Sequence, residues 1–229
     1  MVEPFEDFVI NEPYGLTHDD INLIRKASPE ANSDKDWEKS CLKDYKQRIK
    51  DYLRQKQNSR CAYCRVKIHE GECPSELDHI IEKSKRADWM YVPRNLCYSC
   101  KRCNTNKGHT HQIIRNYDLE SYPNDSDSYL IINPYLDKYS DHIQLVDGIL
   151  YKGITDKGRN TIEYCKLNRY DLACNRAEEL INRDADNIMK LVMILTEEKH
   201  QNLIDNWNKF LEKVNLIDII KRYRESHKE

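Results

Sequence analysis

Glycine and proline are scarce, 6 and 7 among 229 residues. That shortage of turn formers disfavours a fold of many short strands and favours long helices. Long apolar runs are also missing. The longest clean one covers residues 191–195, far short of the ~20 residues a membrane span needs. The opening Met1-Val2-Glu3-Pro4 has neither a basic stretch nor an apolar one, so no secretory signal is expected. The nine cysteines then belong in a reducing, cytoplasmic compartment, where they bind metal or stay free rather than form disulfides. A broad basic surface is absent too: net charge is -2, with 33% charged residues and a mean hydropathy of -0.88. The charge is uneven, however. Between residues 60 and 111, ten Lys/Arg stand against six Asp/Glu, a local excess of four positive charges. Taken alone, such a run is most often a solvated face. The 15 tyrosines against 3 phenylalanines follow a compositional bias and point to no function.

What is present reads as helices around an irregular middle. Thr17 caps a short helix, with Asp19 and Asp20 in its first turn. A longer helix is expected after Ser33, with Trp37, Cys41, Tyr45, Ile49 and Leu53 at a helical period and an end at Asn58-Ser59. From residue 60 to about 111 the period gives way to short β-like pieces and cysteine pairs. Ile143-Gln144-Leu145-Val146 and Ile149-Leu150-Tyr151 flank Asp147-Gly148, a two-residue hairpin turn. From about Lys157 onward the pattern is helical, with apolar stripes such as Leu180, Ile188, Leu191 and Leu195, then Leu203, Trp207, Phe210 and Val214. These stripes read as packing faces.

Cys61-Ala62-Tyr63-Cys64 and Cys100-Lys101-Arg102-Cys103 are two Cys-x-x-Cys pairs. Two intervening residues let both thiolates reach one tetrahedral ion, with Zn–S near ~2.3 Å, and four such sulfurs make a closed structural zinc site. Cys97 has the same spacing to Cys100 and competes for the second pair, while His69 and Cys73 lie close to the first. The pair Cys100 and Cys103 is preferred because Asn104 follows it directly. Zinc ribbons separate their pairs by about 15–20 residues; here 35 residues lie between Cys64 and Cys100. The excess contains Leu77-Asp78-His79-Ile80-Ile81, a short apolar stretch interrupted by two polar residues of metal-binding type, and then Asn95. A lone histidine there would read as a satisfied structural one. Asp78, Asn95 and Asn104 change that reading.

In this combination the sequence resembles the HNH endonucleases, or ββα-metal nucleases. The resemblance rests on Cys61-x-x-Cys64, Asp78-His79-Ile80, Asn95-Leu96 and Cys100-x-x-Cys103-Asn104-x-x-Lys107-Gly108, about 50 residues in all. It implies that zinc clamps a β-hairpin against a helix. With the helical patterns on either side, the expected fold is α+β, mostly helical around a ββα core, with an N-terminal helical segment at 1–59, the core at 60–115, and a hairpin plus C-terminal helices at 116–229 that suit partner docking. The resemblance also implies His79 as general base, Asp78 and Asn104 as ligands of one catalytic Mg²⁺ or Mn²⁺, and Asn95 as the residue that steadies the loop around His79. Those residue types suit phosphodiester hydrolysis. An imidazole with a pKa of about 6.5 can take a proton from water near neutrality, and a hard divalent ion prefers oxygen ligands and keeps several waters. Lys107 is expected to contact a phosphate, and Lys83, Lys85 and Arg86 to follow a nucleic-acid backbone without reading sequence. The chain departs from the family pattern in having Glu82 where many relatives have proline, and Gly108 where some have a third metal ligand. His109 and His111 read as solvated residues or phosphate contacts rather than ligands.

A wider set of motifs resembles the HNH nuclease subunits of Septu anti-phage systems, including retron-linked ones. It comprises the helix carrying Trp37, Ile132-Asn133-Pro134-Tyr135, Asp141-His142-Ile143, Thr161-Ile162 and Leu167-Asn168-Arg169. That resemblance implies a defence effector that cuts DNA or RNA and works with a separate ABC-type ATPase. The sequence has no Walker motif, so ATP hydrolysis would come from another chain. The rival readings are a catalytically silent scaffold and a zinc-ribbon nucleic-acid reader. The first is weakened by the joint presence of Asp78, His79, Asn95 and Asn104, the second by the 35-residue insert.

Overall fold

A computed structural model describes residues 7–28, 33–69, 74–146, 148–173 and 175–176. It is an α+β arrangement of helices and two small antiparallel sheets. The helical stripes beyond residue 176, on which the expectation of a mostly helical chain rests, lie outside the described residues. The chain separates into two compact units, one of residues 5–143 with 153–167, the other of 1–4, 144–152 and 168–229. All residues singled out for catalysis or zinc fall in the first unit.

Helix α1 (His18–Ala27) starts as its sequence signals. Thr17 Oγ1 accepts from Asp20 N at 3.1 Å, and Asp20 Oδ2 accepts from Thr17 N at 2.9 Å, a reciprocal cap. Asp20 is buried and also binds Tyr14 and Arg48, so the cap doubles as the joint to the next helix. That helix, α2 (Lys43–Lys56), begins later than its apolar period suggests. Residues Asp34–Glu38 and Ser40–Leu42 form separate 3₁₀ turns, because Lys39 between them is extended at φ -64°, ψ 135°. Ser33 caps only the first of these turns. Tyr45, Ile49 and Leu53 bury one stripe of α2, and Asn58 and Ser59 end it with φ of 51° and 57°.

Strands β1 (Ser75–His79) and β2 (Leu96–Cys100) pair antiparallel, with Asp78 opposite Cys97 and His79 opposite Leu96. Helix α3 (Lys101–Lys107) leaves directly from β2 and packs on both strands, giving a ββα unit. Gln57 fastens this unit to the end of α2: its amide donates to Tyr98 O at 2.8 Å and accepts from Tyr98 N at 2.8 Å. Strands β3 (Ile143–Val146) and β4 (Leu150–Gly153) form the expected hairpin, with Gly148 at φ 76° in its turn. Helix α4 (Asp156–Tyr164) follows, capped by Thr155. Among the described residues, no helix is long and apolar enough to cross a membrane.

Candidate active site

Cys61, Cys64, Cys100 and Cys103 come together, all buried, with their sulfurs within 4.8 Å of one another. Cys100 caps α3 through its sulfur, which accepts from Cys103 N at 3.5 Å. The donor set suits zinc: a closed group of four soft sulfurs with no water-facing position. Hydrogen bonds from the thiols of Cys103, Cys61 and Cys64 push the Cys100 thiol below its ordinary range, while Cys61 and Cys103 are pushed up, Cys61 chiefly by burial and Cys103 chiefly by its bond to Cys100. Cys97 is not part of it. Three residues from Cys100 along one strand, it faces the other side of the sheet, and its thiol donates to Tyr63 Oη at 3.6 Å. His69 also lies outside the cluster, and Cys73 is outside the described residues.

The first knuckle reaches the other face of the sheet through Tyr63. Its hydroxyl donates to Asp78 Oδ2 at 2.5 Å, and its carbonyl accepts from Tyr139 Oη at 2.6 Å. Burial pushes the Asp78 carboxyl above its ordinary range, while Lys107 and Tyr63 act in the opposite direction. Lys107 is itself 1% exposed. Its ammonium sits 3.3 Å from Asp78 Oδ2 and donates to the carbonyls of His79 at 2.7 Å and Ile80 at 3.3 Å. The lysine expected to contact a phosphate is therefore a buried brace between α3 and β1. Its ammonium is engaged within the fold, although the residue also borders the cleft of Asp78 and His79.

His79 is 7% exposed at the end of β1. Its Nε2 lies 3.1 Å from Met90 O. A carbonyl can only accept, so Nε2 carries the proton and Nδ1 holds the lone pair. The Trp37 ring stands edge-on to the imidazole at 4.4 Å. Burial pushes the imidazole down to about 3; the Met90 bond opposes this, and Lys107, Lys83 and Lys46 add to it. At neutral pH the ring is uncharged. Asn95 is wholly buried and holds the turn that follows His79. Its Oδ1 accepts from Ile81 N at 2.8 Å, and its Nδ2 donates to Ile81 O at 3.0 Å and Trp89 O at 3.1 Å. It is a positioning residue. Asn104, on the face of α3 toward β1, donates to Glu76 Oε2 at 2.6 Å.

Asp78, His79 and Asn104 line one cleft of about 530 Å³, together with Trp37, Glu82 and His109. The side-chain oxygens of Asp78 and Asn104 are the hard donors on offer to a divalent cation there. Gly108 ends α3 with φ 55° and ψ -145°, backbone that only glycine adopts readily. The other expected phosphate contacts are largely engaged within the protein. Lys83 faces Asp34 and Glu38 at 3.9 and 3.7 Å. Lys85 donates to His111 O at 2.6 Å, and Arg86 to Tyr117 O at 2.7 Å and Leu119 O at 2.8 Å while lying over the Trp89 ring. His111 stacks on Tyr164 at 4.1 Å instead of facing solvent alone. Sequence reading missed Tyr63, Glu76 and the Met90 carbonyl, and placed Trp37 only on a helix. Of these, only Tyr63 carried a local signal, its place inside a Cys-x-x-Cys pair.

Residues 61–110 match the HNH endonuclease family. The chain is 32% identical over 161 residues to Septu protein PtuB of Bacillus thuringiensis, a stretch covering 70% of this chain and 53% of that protein. The chain thus spans about half the length of the curated relative it matches. No solved structure matched it. The ββα unit closed by four cysteines, with Asp78-His79 on its first strand and Asn104 on its helix, coincides with the matched segment, and residues 61–110 carry an HNH endonuclease domain.

Proposed function

We propose that the chain is a metal-dependent endonuclease, hydrolysing phosphodiester bonds of DNA or RNA as the nuclease of an anti-phage assembly. The observation that carries this reading is the tautomer of His79. With Nε2–H held by the Met90 carbonyl, Nδ1 is left with the lone pair, and His79 lines the same cleft as Asp78 and Asn104. Burial keeps that nitrogen unprotonated. An approaching phosphate brings negative charge, which raises the imidazole's proton affinity and readies it to take a proton from an attacking water. Asp78 and Asn104 would hold Mg²⁺ or Mn²⁺, the metal supplying Lewis acidity at the phosphate and leaving oxygens. Asn95 keeps the turn after His79 in place, and Trp37 shields the imidazole edge from bulk water. The four cysteines would hold zinc, which has a structural role only.

The family match and the likeness to PtuB support the defence role. We further propose that residues 116–229 dock onto a separate ABC-type ATPase, and that the assembly works in the cytoplasm, where thiols remain reduced for zinc. The test is a nicking assay on plasmid DNA and on structured RNA with Mg²⁺ or Mn²⁺, for the chain alone and co-purified with its genomic neighbours. Cleavage products bearing 5′-phosphates, absent without added divalent ion, support the reading. A zinc-loaded complex that binds nucleic acid but never cuts it supports the silent scaffold.

A further inference from the structure

A second groove opens beside the active-site cleft. It is lined from α2 by Lys43, Lys46 and Lys50, and from β1 by Ser75 and Glu76. The two depressions share Trp37, Glu38, Leu77 and Asn104, so one leads into the other. Positions 43, 46 and 50 lie three and four apart, on the flank of α2 that adjoins the buried stripe of Tyr45, Ile49 and Leu53. Lys43 is exposed and has no side-chain partner among the described residues. Lys46 lies 4.9 Å over the Trp37 ring and 3.9 Å from Glu38, and Lys50 gives one bond, 2.8 Å, to Ser75 O. Each ammonium has three donors, so all keep capacity for an oxyanion. Four lysines, Lys39 among them, stand in the groove against two acids, Glu38 and Glu76.

Resting on the nuclease reading, we propose that this lysine face of α2 is the track for the sugar–phosphate backbone of the substrate, leading the strand into the cleft of His79. Of the basic side chains nearest the site, Lys107 is buried and Lys85 and Arg86 are tied to main-chain carbonyls, so phosphates flanking the cleavage point gain from further cations. From Lys43 to Lys50 the helix rises about 10 Å, the length of roughly three nucleotides of one strand. Lysines act as point charges there and position the strand without reading its bases.

The test measures binding of labelled single-stranded and duplex oligonucleotides as a function of salt, in a His79→Ala background that leaves the probe intact. Replacing Lys43, Lys46 and Lys50 together by alanine should weaken binding at least ~10-fold near 0.1 M salt. It should also flatten the log–log salt slope by about 2 for single strands and nearly 3 for duplex. The form with the larger loss identifies the strand the track holds. Lys138→Ala, outside the groove, should change neither quantity. Lys43→Glu alone should weaken binding with zinc content and melting temperature unchanged, which separates the track from misfolding. Unchanged affinity and slope in the folded triple variant would overturn the proposal. With His79 restored, cleavage with an unaltered KM in the lysine variants also overturns the track and leaves the nuclease reading standing. Lost binding in those variants, with no cleavage by the wild type, sinks the nuclease reading and leaves the track standing.

Discussion

Lys107 neutralises Asp78 inside the protein and donates to two strand carbonyls. Breaking a buried pair of this kind costs about 3–5 kcal/mol, because the remaining charge has no solvent. Lys107→Met, which keeps the length and removes the charge, should therefore lower stability by several kcal/mol in urea unfolding of the zinc-loaded protein. A phosphate ligand at this position would behave differently, raising KM while leaving the unfolding midpoint in place. The sequence shows that a lysine stands three residues after Asn104, but not which way it points. Helix α3 has seven residues and no apolar stripe to orient it. The braces on Lys83, Lys85 and Arg86 are hidden for a related reason, since most of their partners lie 26 to 49 residues away. By contrast, Asp78, His79 and Asn95 stood out as a motif through residue type and spacing alone, although their hydrogen-bond and ion-pair partners lie 6 to 29 residues away. The orientation of His79 did not, since it depends on a main-chain carbonyl and on Trp37 from another element.

At the scale of elements, the two knuckles clamp the loop after α2 to the junction of β2 and α3. Cys61→Ser or Cys103→Ser should abolish zinc binding and loosen residues 60–110, seen as lost metal and raised amide exchange confined to that segment. Structural zinc contributes roughly 10–16 kcal/mol of apparent binding energy in small peptides. Cys97→Ser should keep the metal; a zinc-free Cys97→Ser protein would contradict the assignment. Alternation along β2 decides this point, and the sequence showed it only once the strand's extent was known. The break before α2 was illegible for another reason: two 3₁₀ turns keep the apolar side chains at nearly the helical spacing. The α1–α2 joint has a pH signature. Burial pushes the Asp20 carboxyl up, but Arg48, Thr17 and Tyr14 hold it below its ordinary value overall. Its folded pKa being the lower, its contribution to stability is complete above the unfolded value of about 3.9 and is lost as pH falls through the folded one. Asp20→Asn should lower the melting temperature at pH 7 and shrink its fall below about pH 4. An unchanged acid limb would contradict the assignment.

For the whole molecule, net charge is -2 and the positive excess is local, so a free nuclease of this composition gains little long-range attraction to nucleic acid. We expect weak cleavage by the isolated chain and faster cleavage, responsive to ATP, when it is co-purified with an ATPase partner. A stand-alone monomer that cuts as fast as any complex and ignores ATP would argue against that assembly. The central claim is that His79 takes the proton from the attacking water, and chemical rescue tests it most directly. Initial rates of phosphodiester cleavage are measured for wild type and for zinc-loaded His79→Ala in Mg²⁺ or Mn²⁺, without and with added imidazole. The predicted result is a ~10²–10⁴-fold loss, partly restored by imidazole in the variant only, with zinc content and melting temperature unchanged. Wild-type rates in His79→Ala, or a loss traced to unfolding or missing zinc, would contradict the account.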